Sequence, residues 1–207
     1  MTRRGLTAFL LLMLLTAPAV RVRAEGTPGP TTVFFKFEGP STAAVFDAMK
    51  REMTALFSNT AHRFDWRRIE EASEIGPVPN LVVLRLRGDC RMTHPFPPLD
   101  EQGLYAWTEV TDGVVLPFST VDCDRVRNAV SAALWGSERK RGEELLGRAL
   151  GRILAHELFH IFTKSGAHPA RGLAKQAVTG AELISEGTVF HPEDLHRLPE
   201  PHNRPQK

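Results

Sequence analysis

The sequence predicts an α+β domain in which a mixed β-sheet packs on helices, one of them long. Strand patterns collect in the first half of the chain, whereas helical patterns dominate the second half. This order favours a single domain, because amphipathic strands and helices bury their apolar faces against one another. We expect residues 25–197 to form that domain, which is long enough for a substantial core.

The N-terminus has the pattern of a signal peptide. Arg3 and Arg4 precede an apolar stretch, and small residues around Ala24 provide a cleavage site. The paired arginines also fit a twin-arginine signal. The apolar stretch is too short to span a bilayer stably, and no cysteine follows it that would carry a lipid anchor. We therefore expect residues 1–24 to be removed on export, which leaves a secreted or periplasmic protein without a membrane anchor.

Loss of residues 1–24 changes the charge of the chain. That segment holds four arginines and no acidic residue, so 22 basic residues remain against 24 acidic ones. A net charge near −2 gives no general attraction to nucleic acids or to anionic membranes. The composition therefore predicts no nucleic-acid partner.

The chain has two cysteines, Cys90 and Cys123, and is directed to an oxidising compartment. A disulfide between them is the expected arrangement. The alternative is that one thiolate binds zinc and keeps the protein latent.

Five segments have strand patterns, in the order residues 33–37, 64–69, 81–87, 104–110 and 114–118. The third is continuously apolar before it alternates, which is typical of a central strand. Asp112-Gly113 lies between the last two and is typical of a tight hairpin turn. Pro117 favours an edge position for the fifth strand, because proline cannot donate a ladder hydrogen bond.

Four segments have the spacing of amphipathic helices, over about residues 42–58, 122–135, 137–164 and 179–186. Ser41 is the predicted N-cap of the first, and Asp122 or Asp124 that of the second. The third is expected to end at Ser165-Gly166. Residues 198–207, rich in proline and charge, are expected to be disordered.

The long helix carries the sequence His156-Glu157-Leu158-Phe159-His160. Residues four apart on a helix lie one above the other, so both imidazoles point in the same direction. Two imidazoles on one face form half of a tetrahedral zinc site. Glu157 lies beside them, where it can take a proton from a zinc-bound water. The pattern predicts a catalytic zinc site, and the alternative is two histidines that bind no metal.

The third protein ligand of a catalytic zinc distinguishes the classes of such enzymes. His168 follows Gly166, a residue that can adopt a positive φ and return the chain to the helix end. The alternative ligand is a glutamate of the following helix, either Glu182 or Glu186.

With His168, the motif resembles that of the metzincin clan of zinc endopeptidases, H-E-x-x-H-x-x-G-x-x-H. The glycine and the third histidine come later than in that pattern, and Ala174 stands where a related variant has its turn methionine. Residues 147–158 more closely resemble the active-site helix of small, secreted, uncharacterised bacterial HExxH proteins. Residues 116–123 resemble the strand and turn upstream of that helix. The likeness covers roughly residues 80–175, and it implies a zinc site without naming a substrate.

Motif and resemblance together predict a secreted zinc metalloendopeptidase that hydrolyses a peptide or protein substrate. Zinc bound by His156, His160 and His168 would activate a water, and Glu157 would act as the general base. One alternative is an exported zinc-binding protein without turnover. Another is an envelope scaffold that keeps the helix for stability alone.

Two further parts of a peptidase site stay open at the level of sequence. In such enzymes an edge strand beside the active-site helix pairs with extended substrate, and residues 114–118 are the candidate strand. No residue stands out as a stabiliser of the oxyanion, for which Arg171, Tyr105 and His191 are candidates.

Overall fold

The structure is a computed structural model that describes residues 29–93 and 103–199 of the 207-residue chain. Residues 1–24, predicted as a signal peptide, and all but the first two residues of the predicted tail lie outside these ranges. Between them, the two described ranges contain a five-stranded mixed sheet and five α-helices. This architecture agrees with the predicted α+β class.

The sheet has the order β2-β1-β3-β5-β4. Its strands are β1 (Thr31–Phe37), β2 (Phe64–Arg68), β3 (Leu81–Arg87), β4 (Ala106–Thr111) and β5 (Val114–Asp122). Only β4 runs antiparallel to its neighbour in this sheet. The prediction that β3 is central is confirmed. Residues 114–118, the predicted edge strand, form the first part of β5. This strand continues to Asp122 and pairs with β3 from Phe118 onwards, so β4 is the outer strand at this end of the sheet.

The α-helices are α1 (Ala43–Leu56), α2 (Cys123–Ala133), α3 (Gly142–Thr163), α4 (Gly180–Ile184) and α5 (Pro192–His196). Thr42, one residue after the predicted Ser41, caps α1, whereas the predicted Asp122 caps α2. A 3-10 helix over Gly136–Arg141 replaces the first turn predicted for the long helix. Helix α5 was not predicted, because five residues are too few to display a helical period.

The hairpin between β4 and β5 turns at the predicted residues. Asp112 and Gly113 have φ angles of 50° and 75°. Positive φ at both central residues is the requirement of a two-residue type I′ turn, whose twist matches that of the strands. The hairpin brings β4 alongside β5 and next to α3.

Helix α3 lies close against α1 because two glycines on its contact face carry no side chain. A Cβ at Gly147 would lie 2.5 Å from the carbonyl oxygen of Val45, and one at Gly151 would lie 2.6 Å from that of Met49. Both distances are too short for any side-chain carbon. The two helices therefore approach backbone to backbone, and this contact fixes the position of the helix that carries the histidines.

Gly151→Ala is expected to lower the free energy of unfolding by about 1–3 kcal/mol, because the added methyl forces the two helices apart. The result would be opposite to the usual preference of helices for alanine over glycine. Urea denaturation of both proteins measures the difference. Gly187→Ala is the matched control, since its Cβ would meet no atom within 4 Å. Equal stability of the Gly151→Ala variant and the wild type would contradict the close contact.

Cys90 and Cys123 form a disulfide, and both residues are fully buried. The predicted pairing is confirmed, and the alternative of a zinc-binding thiolate is wrong because both sulfurs are engaged. The bond joins the segment after β3 to the first residue of α2. A disulfide is compatible with an exported protein. No helix within the described ranges is both long and apolar enough to cross a membrane.

Candidate metal centre

Three histidines converge at the C-terminal part of α3. Nε2 of His160 lies 3.1 Å from Nε2 of His156 and 3.2 Å from Nε2 of His168. Ligands placed tetrahedrally around zinc at its usual bond length are about 3.3–3.4 Å apart. The two measured separations are close to that value, and the three ligand atoms all lie within 4.8 Å of one another. These three side chains can therefore hold a metal ion.

Backbone carbonyls fix the orientation of two of the rings. Nδ1 of His156 lies 2.9 Å from the carbonyl oxygen of Leu173, and Nδ1 of His160 lies 2.7 Å from that of Ser165. A carbonyl only accepts hydrogen bonds, so each Nδ1 carries the proton and donates it. In the neutral rings, both Nε2 atoms are then unprotonated and present their lone pairs to each other. Metal-binding histidines are oriented in this way by their outer hydrogen bonds.

Burial disfavours the charged form of both of these rings. It lowers the pKa of His156 and of His160 below the usual histidine value, and the carbonyl hydrogen bonds offset this only in part. Burial has the opposite effect on Glu157, whose pKa it raises, while a hydrogen bond from Thr108 lowers it. Neutral imidazole is the form that binds metals, so the surroundings of the cluster favour ligation.

His168 reaches the cluster because the chain reverses directly after α3. Lys164, the C-cap of that helix, has a left-handed conformation with φ of 53°. The prediction that Gly166 supplies the reversal is wrong, since the glycines with positive φ do not include it. His168 itself is exposed, unlike His160, which is buried.

Arg152, one turn before His156, ties the following segment to α3. Its guanidinium donates to the carbonyl oxygens of Glu182 and Leu183 at 2.9 and 3.1 Å, and also to that of Ser185. The same group pairs with the carboxylate of Glu52 at 2.7 Å, so its buried charge is compensated. These contacts hold the end of α4 against α3.

Glu182, the alternative third ligand, lies outside the cluster. Its carboxylate closes the capping box of α4 with Thr179 and pairs with Lys175 at 2.5 Å. These hydrogen bonds lower the pKa of Glu182 to about 2. Glu186, the other candidate glutamate, is exposed and is not part of the cluster either. The structure thus brings His168, rather than a glutamate, to the two motif histidines.

Glu157 has a partner that the sequence did not reveal. Oγ1 of Thr108 in β4 donates to Oε2 of Glu157 at 2.6 Å, and it also lies 2.8 Å from Oγ of Ser119 in β5. The sequence does contain a signal for Ser119. Alternation along the strand places it on the same inward side as Val115, Pro117 and Val121, where an apolar residue is expected. Thr108 becomes visible only once the pairing of the two strands is known.

A cavity of about 520 Å³ opens over the three histidines and Glu157. Most of its other lining is apolar or aromatic, including Tyr105, Val115, Ile153, Leu173 and Val178. Of the three oxyanion candidates, Tyr105 lines this cavity, whereas Arg171 and His191 do not. A larger cavity of about 1010 Å³ contains none of the three histidines. The smaller one, which combines apolar walls with convergent polar groups, has the character of a binding site.

Comparison of the chain with known protein families found none that matches, and comparison with curated proteins found no matching sequence. The functional assignment therefore depends on the fold and the site. Together they define an α+β protein with a candidate three-histidine metal centre, beside a buried carboxylate and under an apolar cavity.

Proposed function

We propose that this protein is a secreted zinc metallopeptidase of the zincin type, similar to the metzincins. The observation that carries the proposal is the 3.1 Å contact between Nε2 of His156 and Nε2 of His160, which both lack a proton in the neutral rings because each Nδ1 donates to a carbonyl. Two lone pairs at this distance repel each other unless a cation lies between them. A cation satisfies both, and His168 completes the set of three donors.

Zinc is the metal that best fits this donor set. Imidazole nitrogens suit zinc as well as copper, iron and nickel. Two of the separations between Nε2 atoms lie near the tetrahedral value, which favours zinc, and three protein ligands would leave the fourth position open, as in catalytic sites. A purely structural site closes that position and has no need of a base beside it.

The chemistry divides between the metal and the carboxylate. Zinc supplies Lewis acidity, which acidifies water and polarises the scissile carbonyl. Glu157 borders the cavity and accepts a proton from the attacking water, which it then passes to the leaving amine. Because burial raises the pKa of Glu157, the group holds a proton more readily than an exposed glutamate does. That property suits a group that both takes and returns a proton.

The sheet supports a peptide as the substrate. β4 is the outer strand beside α3, and it therefore has one edge free of pairing with the strands of this sheet. An extended peptide can add to such an edge by main-chain hydrogen bonds, while its side chains enter neighbouring pockets. The apolar lining of the cavity favours an uncharged side chain there. We therefore assign the pairing with extended substrate to β4 instead of residues 114–118.

The test is zinc-dependent cleavage by the protein collected after export. It should hold about one zinc per chain and cleave members of a broad peptide library. A chelator should stop cleavage, and added zinc should restore it. A zinc-loaded protein that cleaves no peptide would favour the alternative of a binding protein without turnover. A protein that binds no zinc would contradict both functions.

A further inference from the structure

Two hydroxyls and a carboxylate form a chain from the sheet to the candidate metal centre. Oγ of Ser119 lies 2.8 Å from Oγ1 of Thr108, which in turn lies 2.6 Å from Oε2 of Glu157. An ionised carboxylate only accepts, and a threonine hydroxyl has a single proton to give. Thr108 therefore donates to Glu157, and Ser119 donates to Thr108. The direction of the whole chain is set by the acceptor at its end.

This chain is built into a part of the core where apolar residues are expected. Thr108 and Ser119 are direct cross-strand partners, and Ser119 is only 2% exposed. Val121, on the same side of β5, is fully buried, so this side of the sheet faces the helices. Packing alone would be served by apolar residues, and buried polar groups are stable only when they are hydrogen-bonded. The hydroxyls of this pair meet that condition through Glu157.

The strand geometry changes at this pair. Regular pairing of β4 with β5 ends at Thr108 and Ser119, and it resumes with a shifted register at Val110 and Val115. Pro117 lies within the intervening part of β5. Irregularities of this kind bend a strand and change the direction of a side chain next to a functional site. Here the irregularity directly follows the residue that holds Glu157.

We propose that Thr108 is a positioning residue for the general base. Its hydroxyl, oriented by Ser119, holds Oε2 of Glu157 and leaves the other carboxylate oxygen to act on water. A base that is held before the substrate arrives loses less freedom in the transition state. Thr108 also belongs to β4, so the strand that would pair with the substrate is the one that fixes the base. This inference rests on the proposed peptidase function.

Thr108→Val removes the hydroxyl with little change of shape, and Thr108→Ser restores it. In the zinc-loaded protein, the valine variant should lower kcat by about 10–100-fold, because a small misplacement of a reacting group can cost about 10²-fold. KM and zinc affinity should stay close to the wild-type values, since valine keeps the shape that residue 108 presents to the cavity and the histidines are unchanged. The serine variant should recover most of the lost kcat. Thr54→Val, at an exposed position of α1 away from the cavity, is the control and should have no effect.

Crystal structures of the zinc-loaded wild type and both variants at residue 108 give a readout that does not depend on activity. Oε2 of Glu157 should lie within hydrogen-bond distance of residue 108 in the wild type and in the serine variant. It should leave that position in the valine variant. An unmoved carboxylate with unchanged kcat would overturn the proposal. If the wild type cleaves no peptide, the peptidase function fails, whereas the position of Glu157 in these structures still decides whether Thr108 holds it.

Discussion

His168→Ala is expected to lower the zinc affinity of the exported protein by at least about 100-fold, because changing a mere outer-shell partner already costs 10–100-fold. The structure brings three imidazole nitrogens together, and the substitution leaves two of them. Two ligands on one helix face form only half of a tetrahedral site. Competition with a chromophoric chelator at fixed pH measures the affinity of both proteins.

The same substitution separates loss of a ligand from loss of the fold. His168 is exposed, so the metal-free variant should unfold at nearly the same temperature as the metal-free wild type. Zinc at about 1,000 times its dissociation constant stabilises a protein by about 4 kcal/mol. The wild type should therefore gain thermal stability when zinc is added, and His168→Ala should lose most of that gain.

Two control variants test the alternatives for the third ligand. His196→Ala removes an exposed histidine outside the cluster and should leave zinc affinity unchanged. Glu182→Gln removes a carboxylate but keeps an oxygen that can close the capping box with Thr179. It should also retain zinc. Loss of zinc from Glu182→Gln together with full retention in His168→Ala would assign the site to the glutamate-ligand class instead.

The periodic elements of this fold could be predicted because their signals are local. β3 was predicted over the residues that form it, and the Asp112-Gly113 turn has the positive φ angles that the dipeptide favours. The outer strand was not predicted correctly, because Pro117 indicates an edge but sheet order depends on distant pairing. The structure accommodates this proline because the pairing of β5 with β3 begins only at Phe118. The edge signal was therefore local to one part of the strand.

The residues of the site, too, could be predicted only where their signals are local. His156 and His160 share a helix face by their spacing alone, and His168 was a candidate by its position after the helix. We expected Gly166 to reverse the chain, since glycine adopts left-handed conformations most easily. That prediction was wrong, because Lys164 adopts the left-handed conformation instead. Thr108 lies 49 residues from Glu157 in the chain. A contact of that separation has no signature in the motif, and only the folded sheet reveals it.

Glu157→Gln is expected to lower kcat for peptide cleavage by about 10²–10⁴-fold, the usual contribution of a general acid–base group. The amide has nearly the same shape as the carboxylate but cannot take a proton from water at neutral pH. Its oxygen still accepts the hydrogen bond from Thr108, so the hydroxyl chain is kept. Zinc affinity should change little, because none of the three histidine ligands is altered. Steady-state kinetics on a peptide that the wild type cleaves, with zinc content measured on the same samples, tests this expectation.

The stability of this variant gives an independent check of the site. Burial raises the pKa of Glu157 above its usual value, so the surroundings of this group in the folded protein disfavour its ionised form. By linkage, the folded protein loses stability as the pH rises from the unfolded pKa of Glu157 to its higher folded pKa, and the loss is complete above the folded value. The neutral amide should therefore leave the metal-free protein as stable as the wild type, or more stable, at neutral pH.

Glu186→Gln makes the same chemical change at an exposed position and should alter neither activity nor stability. Retained zinc, unreduced stability and lost cleavage would together indicate a catalytic base, because a protein that only binds zinc has no reaction for Glu157 to serve. Cleavage at the wild-type rate by Glu157→Gln would show that another group takes the proton.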